Sequence, residues 1–247
     1  MLGVWLKEIS ELVLPAVATC QLCGSRRKSG KYQGLCCICQ KELDYWDEKY
    51  HQCNICGRYS SGVGRCLKCS EEILPFVKAT AVGPYRGILK ESLCNLKFRG
   101  DRKLSIPLGR LLAQKVRAQI KIENINIIVS VPLHKDKIKI RGFNQADLLA
   151  VEVGKEIRKP VAHRLLVKKE DTPAQTPLSQ KQREANLTGA FSVNGRSRVR
   201  GAEVLLVDDI FTTGSTASEC TRELLKAGAK KIYVATVATG IHFYPTE

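Results

Sequence analysis

The chain has 247 residues and carries 40 Lys and Arg against 24 Asp and Glu, a formal charge of +16. That length buries one good core with room for a smaller module, and the absence of any run of about 18 apolar residues excludes a membrane-spanning helix. The cation excess is more than one phosphorylated ligand needs, and points to a nucleic acid or an anionic membrane surface.

In chain order, Leu2, Trp5, Leu6, Ile9, Leu12 and Val13 recur at helical spacing and read as a short amphipathic helix ended by Pro15. Charges interrupt its apolar residues, so it is not read as an export signal. Its apolar face is expected to pack on its own protein, the alternative being a membrane surface.

Eight cysteines then form four CxxC pairs: Cys20 and Cys23, Cys36 and Cys39, Cys53 and Cys56, Cys66 and Cys69. One CxxC pair sets two sulfurs on one side of a tetrahedral ion, and a second pair closes the shell with no position left for chemistry. Two structural zinc sites are therefore expected, with the pairs taken either in sequence or interleaved. Cys37 and His51 are spare ligands. A disulfide framework fits poorly without an export signal. Gly24 and Gly57 directly follow their pairs and suit a tight turn with its N–H groups facing sulfur. The remaining cysteines, Cys94 and Cys220, fall in predicted helices as core residues.

Beyond Glu71 the composition becomes that of a globular domain, with a joint at Leu74-Pro75. The expected division is 1–73 for the N-terminal helix and zinc module and 74–247 for the main domain. A strand is predicted over Ala79–Tyr85 and helices over Ile88–Phe98 and Ile106–Ile120, with LKFRGDRK between the helices. Its Lys97, Arg99, Arg102 and Lys103 are either a solvated turn or part of an anion site. Ile125–Val131 reads as a buried strand ended by Pro132, and Phe143 to Ile157 as a helix at 3.6-residue spacing. Between these lies a basic loop with His134, Lys135, Lys137, Lys139 and Arg141. Arg141 and Asn144, beside a glycine and just ahead of the helix, are the stronger candidates for an anion. His134 either contacts phosphate or caps the turn.

Val161–Val167 is a third strand candidate. The aperiodic KKEDTPAQTPLSQKQREANLTGAF that follows has the length of a lid, from which Thr172, Gln175, Arg183 and Asn186 could reach a ligand. Next, VLLVDDIFTTGST opens with four branched apolar residues, Val204–Val207, the pattern of a buried parallel strand. Asp208 and Asp209 stand where such a strand surfaces at its carboxyl end, where open α/β sheets bind ligands. Thr212, Thr213, Gly214, Ser215 and Thr216 precede a helix running to about Ala227. That turn can aim N–H groups and hydroxyls at one phosphate, aided by the helix dipole. Paired acids beside an anion nest suit a ligand with vicinal hydroxyls and a phosphate, which a ribose 5-phosphate has. No Walker A pattern occurs, which argues against a P-loop nucleotide hydrolase. Lys231–Val237 forms the last strand.

The run VLLVDDIFTTGST resembles the signature of the type I phosphoribosyltransferases. With the CxxCG pairs, LKFRGDRK, VPLH followed by RGFNQADLLA, and DTPAQTPLSQKQREANLTGAF, nearly the whole chain resembles the ComF family of competence-associated proteins, ComFC members included. The resemblance implies an α/β core with the type I phosphoribosyltransferase fold, a parallel sheet flanked by helices, behind a small zinc-binding module. It also implies binding of 5-phosphoribosyl 1-pyrophosphate (PRPP) with Mg²⁺. Asp208 and Asp209 would hold the ribose hydroxyls and Thr212–Thr216 the 5-phosphate. His134, Lys137, Arg141 and Asn144, with Thr172, Gln175 and Arg183 of the lid, would lie toward the pyrophosphate. The implied role is in DNA uptake by natural transformation, handling single-stranded DNA in the cytoplasm or at the inner face of the membrane. Partners there would include competence-machinery proteins such as a helicase. The acceptor of any ribosyl transfer is not implied, and some proteins of this fold only sense PRPP. After Pro132 the family usually has proline and arginines where this chain has Lys135, Lys137 and Lys139, so charge is kept while the bidentate reach of guanidinium is lost.

Overall fold

The computed structural model describes residues 17–32, 34–169 and 189–241. The N-terminal amphipathic helix and the lid residues Thr172, Gln175, Arg183 and Asn186 lie outside the described residues.

The described chain begins with a two-stranded ribbon, β1 (Val17–Thr19) and β2 (Arg26–Lys28), and helix α1 (Cys37–Lys49). A second ribbon, β3 (His51–Gln52) with β4 (Tyr59–Ser60), and a short helix α2 (Leu67–Glu71) follow. The main domain then runs β5 (Lys78–Pro84), α3 (Gly87–Phe98), α4 (Ser105–Gln119), β6 (Ile127–Ser130), α5 (Lys135–Arg141) and α6 (Gln145–Ile157). It closes with the antiparallel pair β7 (Leu166–Lys168) and β8 (Phe191–Val193), then β9 (Glu203–Phe211), α7 (Ser215–Lys226) and β10 (Lys231–Thr239).

Four strands form a parallel sheet in the order β5-β10-β9-β6. Its strands are apolar on both faces, as a sheet covered on both sides requires. The period of two sorts them: Leu205, Val207, Ala235 and Val237 face one cluster with Leu93, Leu112 and Leu149 of α3, α4 and α6. Val204, Leu206, Ile232 and Val234 face the other, with Ala217, Cys220 and Leu224 of α7 and Leu166 and Phe191 of the β7–β8 pair.

Three expectations are corrected. The strand predicted over Val161–Val167 is not a strand of the sheet: Val161 makes a single bridge to Ile128, Arg164 takes a left-handed φ of 54°, and the chain turns away to pair β7 with β8. The basic loop after Pro132 is a short helix, α5, ended by Gly142 at φ 77°. The strand predicted to end at Val207 continues to Phe211, its pairing with β10 reaching Thr239, so Asp208 and Asp209 lie within it. Cys220 is fully buried as expected, whereas Cys94 is only partly so and meets the Tyr85 hydroxyl.

Candidate functional site: two thiolate cages and an anion turn

The eight CxxC sulfurs gather into two groups, Cys20, Cys23, Cys36 and Cys39, and Cys53, Cys56, Cys66 and Cys69, with the ligand atoms of each within 4.8 Å of one another. The pairing is sequential, not interleaved, and Cys37 and His51 belong to neither group. Backbone N–H groups are aimed at the sulfurs: Cys36 N donates to Cys20 Sγ at 3.4 Å and Cys66 N to Cys53 Sγ at 3.3 Å. A hydrogen bond from Cys56, helped by the N–H groups of Cys56 and Cys66, pulls the Cys53 thiol down to about 4. Four sulfurs at that spacing, with backbone N–H donors aimed at them, fit a structural zinc ion.

The two cages pack on opposite faces of the sheet. Cys20, Cys36 and Cys39 join the cluster of Leu43, Val82 and Leu89. All four cysteines of the second cage join that of Phe76, Ala79 and Phe211. The second cage is also bonded to the sheet edge, for Ala79 N donates to Ile55 O at 2.6 Å and Gln52 Nε2 to Ala81 O at 3.0 Å. These bonds cover the outer edge of β5, which would otherwise leave backbone groups unpaired. Gly57 is required there: at φ 68° a Cβ would stand 2.8 Å from Ala79 O.

At the carboxyl end of β9, Asp209 continues the row of Leu205 and Val207 toward α3, and its carboxylate pairs with Lys97 Nζ. Both side chains are largely buried. Asp208 is half-buried and its Oδ1 accepts from Asp209 N at 2.8 Å. Burial first, then the neighbouring Asp209 charge, pushes the Asp208 carboxyl well above the usual carboxylate range. The turn 212–214 follows. Gly214 has φ 87°, and a Cβ on it would lie 2.7 Å from the Phe211 ring, so the ring forms the floor of the turn. Thr213 Oγ1 and Ser215 Oγ are 2.9 Å apart. Gly214, the N-cap of α7, has no side chain to cap the helix; Thr213 Oγ1 accepts from Ser215 N at a long 3.4 Å, and the N–H groups beyond it are open to an acceptor from outside the helix.

The two basic segments meet beside this end of the sheet. Arg141 stacks on Phe98 at 5.7 Å, Arg102 on Phe143 at 4.7 Å, and Arg102 Nη2 donates to Gly142 O at 3.2 Å. LKFRGDRK and RGFN thus form one surface, with Lys97 at its inner edge and Phe98 75% exposed at its outer one. Asn144 is committed to scaffolding: its Nδ2 donates to Val131 O at 3.0 Å and its Oδ1 accepts from Ala146 N at 3.1 Å. His134 is buried and takes the capping role, Nδ1 accepting from Asp136 N at 3.3 Å. Arg141 also donates to Gln145 Oε1. Lys137 is partly exposed on α5.

Sequence reasoning left out Lys68 and Arg58. Lys68 Nζ donates to Thr213 O at 3.3 Å, and the Arg58 guanidinium lies 5.2 Å from the Phe211 ring centre. A cavity of about 220 Å³ separates Lys68, Glu72 and Leu74 from Thr213, Ser215 and Arg222. The only hint in the sequence was that Lys68 sits between Cys66 and Cys69, two of the four cysteines of the second cage.

Comparison with known proteins agrees with this geometry. The phosphoribosyl transferase domain family matches residues 138–244. The chain is 32% identical to competence protein F of Haemophilus influenzae over 81% of this chain and 88% of that one. It is 32% identical to the DNA utilization protein YhgH of Salmonella typhi over the same shares. With competence protein ComFC of Bacillus subtilis the identity is 28%, over 72% of this chain and 73% of that one. The parallel sheet flanked by helices is the phosphoribosyltransferase fold, preceded by a small module with two four-cysteine sites. No helix among the described residues is long and apolar enough to cross a membrane.

Proposed function

The chain belongs to the competence protein F family, and from that premise we propose that it binds PRPP at the carboxyl end of β9 and acts on or beside incoming single-stranded DNA. The observation that carries the reading is the juxtaposition there of two carboxylates, a glycine turn opening helix α7 and a basic surface. In this reading Asp208 and Asp209 accept from the ribose hydroxyls. The N–H groups and hydroxyls of Thr212, Thr213, Gly214, Ser215 and Thr216 take the 5-phosphate. Lys97, Lys137 and Arg141 face the pyrophosphate, and Thr172, Gln175 and Arg183 approach from the lid. The residues that would hold Mg²⁺ with PRPP are the two aspartates, acting through the ribose hydroxyls, and the ion would supply charge neutralisation on the pyrophosphate. Departure of pyrophosphate leaves an electron-poor ribosyl cation, so water must be kept out until an acceptor arrives.

Calorimetry with PRPP and Mg²⁺ tests the binding. Asp208→Asn with Asp209→Asn removes charged acceptors worth roughly 1.5–3 kcal/mol each, so affinity should fall at least about tenfold. Unchanged affinity in the folded double variant overturns the assignment. Incubating nucleic-acid and protein candidates with PRPP and searching by mass spectrometry for an added ribosyl phosphate tests the transfer.

One observation favours a second reading, in which PRPP is sensed and not consumed. Asp209 already has a cationic partner in Lys97, so ribose must compete for it. PRPP binding without any modified acceptor is the outcome that reading expects.

The same surface supports DNA handling. Arg99, Arg102, Lys103, Lys135 and Lys139 are exposed on it, next to Phe98, which offers one ring for a base while the cations track phosphates. A protein partner of the uptake machinery, such as a helicase, and contact with the inner face of the membrane belong to the same proposal. The division into 1–73 and 74–247 is likewise proposed.

A further inference from the structure

The two cysteine cages are chemically alike but differ in what they touch. The second is joined to the anion turn by two contacts that are far apart in sequence. From the half holding Cys66 and Cys69, Lys68 reaches across to the Thr213 carbonyl at 3.3 Å, its side chain only 15% exposed and further held by Glu72 at 3.5 Å. From the half holding Cys53 and Cys56, Arg58 is buried to 1% exposure and lays its guanidinium over Phe211. Phe76 also meets that ring edge-on, at 6.0 Å and 85°. Phe211 is the floor against which Gly214 turns. The first cage packs on the opposite face, against Leu43, Val82 and Leu89.

We infer that the second cage is the positioning device of the phosphate turn, with Lys68 and Arg58 transmitting its shape, and that the first cage is not. A bound metal fixes the relative placement of Cys53–Cys56 and Cys66–Cys69, and with it the two side chains that hold the turn from its carbonyl and from its floor. An anion turn works only when its N–H groups are already convergent. Lys68 fixes the Thr213 carbonyl, and so the direction of the Gly214 N–H that shares its peptide plane. Emptying the second cage should therefore loosen residues 212–216 while the first cage and the main core stay closed.

The inference deepens the PRPP reading and rests on it for its functional half only, so the test has two arms. Hydrogen exchange followed by mass spectrometry on the full chain reads the turn directly, with no ligand present. Lys68→Gln should speed exchange at 212–216 by about tenfold with two metal ions retained, and Lys68→Arg should restore protection. Cys53→Ser should do the same as Lys68→Gln, and Cys20→Ser should leave the turn protected. If a cysteine variant does not fold, the Lys68 pair decides alone. Calorimetry with PRPP and Mg²⁺ is the second arm, in which Lys68→Gln should weaken binding by about tenfold. Unchanged exchange at 212–216 in folded Lys68→Gln overturns the inference. If wild-type protein binds no PRPP, the PRPP reading falls while the exchange result still decides on the buttress.

Discussion

Lys97 and Asp209 form a largely buried ion pair that joins the last turn of α3 to the strand carrying the paired acids. The pair arises from two periods in register: Asp209 falls on the α3-facing row of β9, and Lys97 sits next to Leu96, which anchors the end of α3 in that same cluster. The lysine offsets one of two adjacent negative charges at a place where solvent cannot. Removing one partner of a buried pair leaves an uncompensated charge and costs roughly 3–5 kcal/mol. Lys97→Met should therefore destabilise by about 3 kcal/mol in urea denaturation. Adding Asp209→Asn should recover part of that loss, because the orphaned charge goes with it.

The adjacent acid responds to pH in a defined direction. Asp208 is held above the ordinary aspartate value of 3.8 by burial and by Asp209. The folded state therefore keeps its proton to higher pH than the unfolded state does, and stability falls as pH rises from about the unfolded value through the folded one. Asp208→Asn removes that penalty. It should melt higher than wild type at pH 8, with the gap closing as pH is lowered toward 4. A gap that widens on acidification would reverse the sign and refute the partly desolvated, charge-opposed placement of Asp208.

Gly214 should not tolerate a side chain. A Cβ would meet the Phe211 ring at 2.7 Å with the backbone already at φ 87°, and strain of this type costs about 1–3 kcal/mol. Gly214→Ala should lower stability by that order and weaken PRPP binding more than it weakens folding, because it displaces the floor of the turn. Equal PRPP affinity in calorimetry would mean that the phosphate sits elsewhere.

Metal content should be two ions per chain, one per cage. Cys53→Ser should remove one ion and Cys20→Ser the other, as each cage groups four cysteines and no further His, Cys, Asp or Glu joins either group among the described residues. Elemental analysis of purified protein checks this, and one ion or none in wild type contradicts it. Cys37→Ser should keep both.

The buried strands and the cysteine cages were legible from local pattern, since branched apolar runs and CxxC spacing act over a few residues. Less legible was where β9 ends. Two consecutive acids look like a surface, yet the strand runs on because Thr236 to Thr239 of β10 continue to pair with it, and Lys97, over a hundred residues earlier, neutralises one acid. Helix α5 was hidden for a related reason. In KDKIKIR the isoleucines alternate with lysines, and Ile138 and Ile140 are both exposed, so no buried helical stripe exists to be read. The Val161–Val167 prediction failed at Arg164, whose left-handed conformation no β-propensity argument anticipates. Lys68 was invisible because its partner Thr213 is set by how the cage docks on the sheet, not by anything near Lys68 in sequence.

The charge excess separates into places with different prospects for DNA. Lys97–Lys103 and Lys135–Arg141 are joined through the Phe98–Arg141 and Arg102–Phe143 contacts beside the carboxyl end of the sheet. The exposed Arg196, Arg198 and Arg200 precede Glu203, the first residue of β9, and so lie at the opposite end of that strand. A single strand that follows phosphates over one continuous surface should use the joined patch more than the isolated run. Each phosphate neutralised on single-stranded DNA contributes about 0.7 log unit of affinity per log unit of salt. Replacing Arg99, Arg102 and Lys103 by glutamine should flatten the salt dependence of oligonucleotide binding, measured by fluorescence anisotropy, by about 1–2 log units per log unit of salt. The same change at Arg196, Arg198 and Arg200 should flatten it less and leave PRPP binding intact. Phe98→Ala should weaken binding by roughly 1–3 kcal/mol, the worth of one stacked base, without altering the slope. Equal slopes for both triple variants would place the DNA across the whole molecule, and no salt-sensitive binding at low ionic strength would assign the cations to an anionic lipid surface instead.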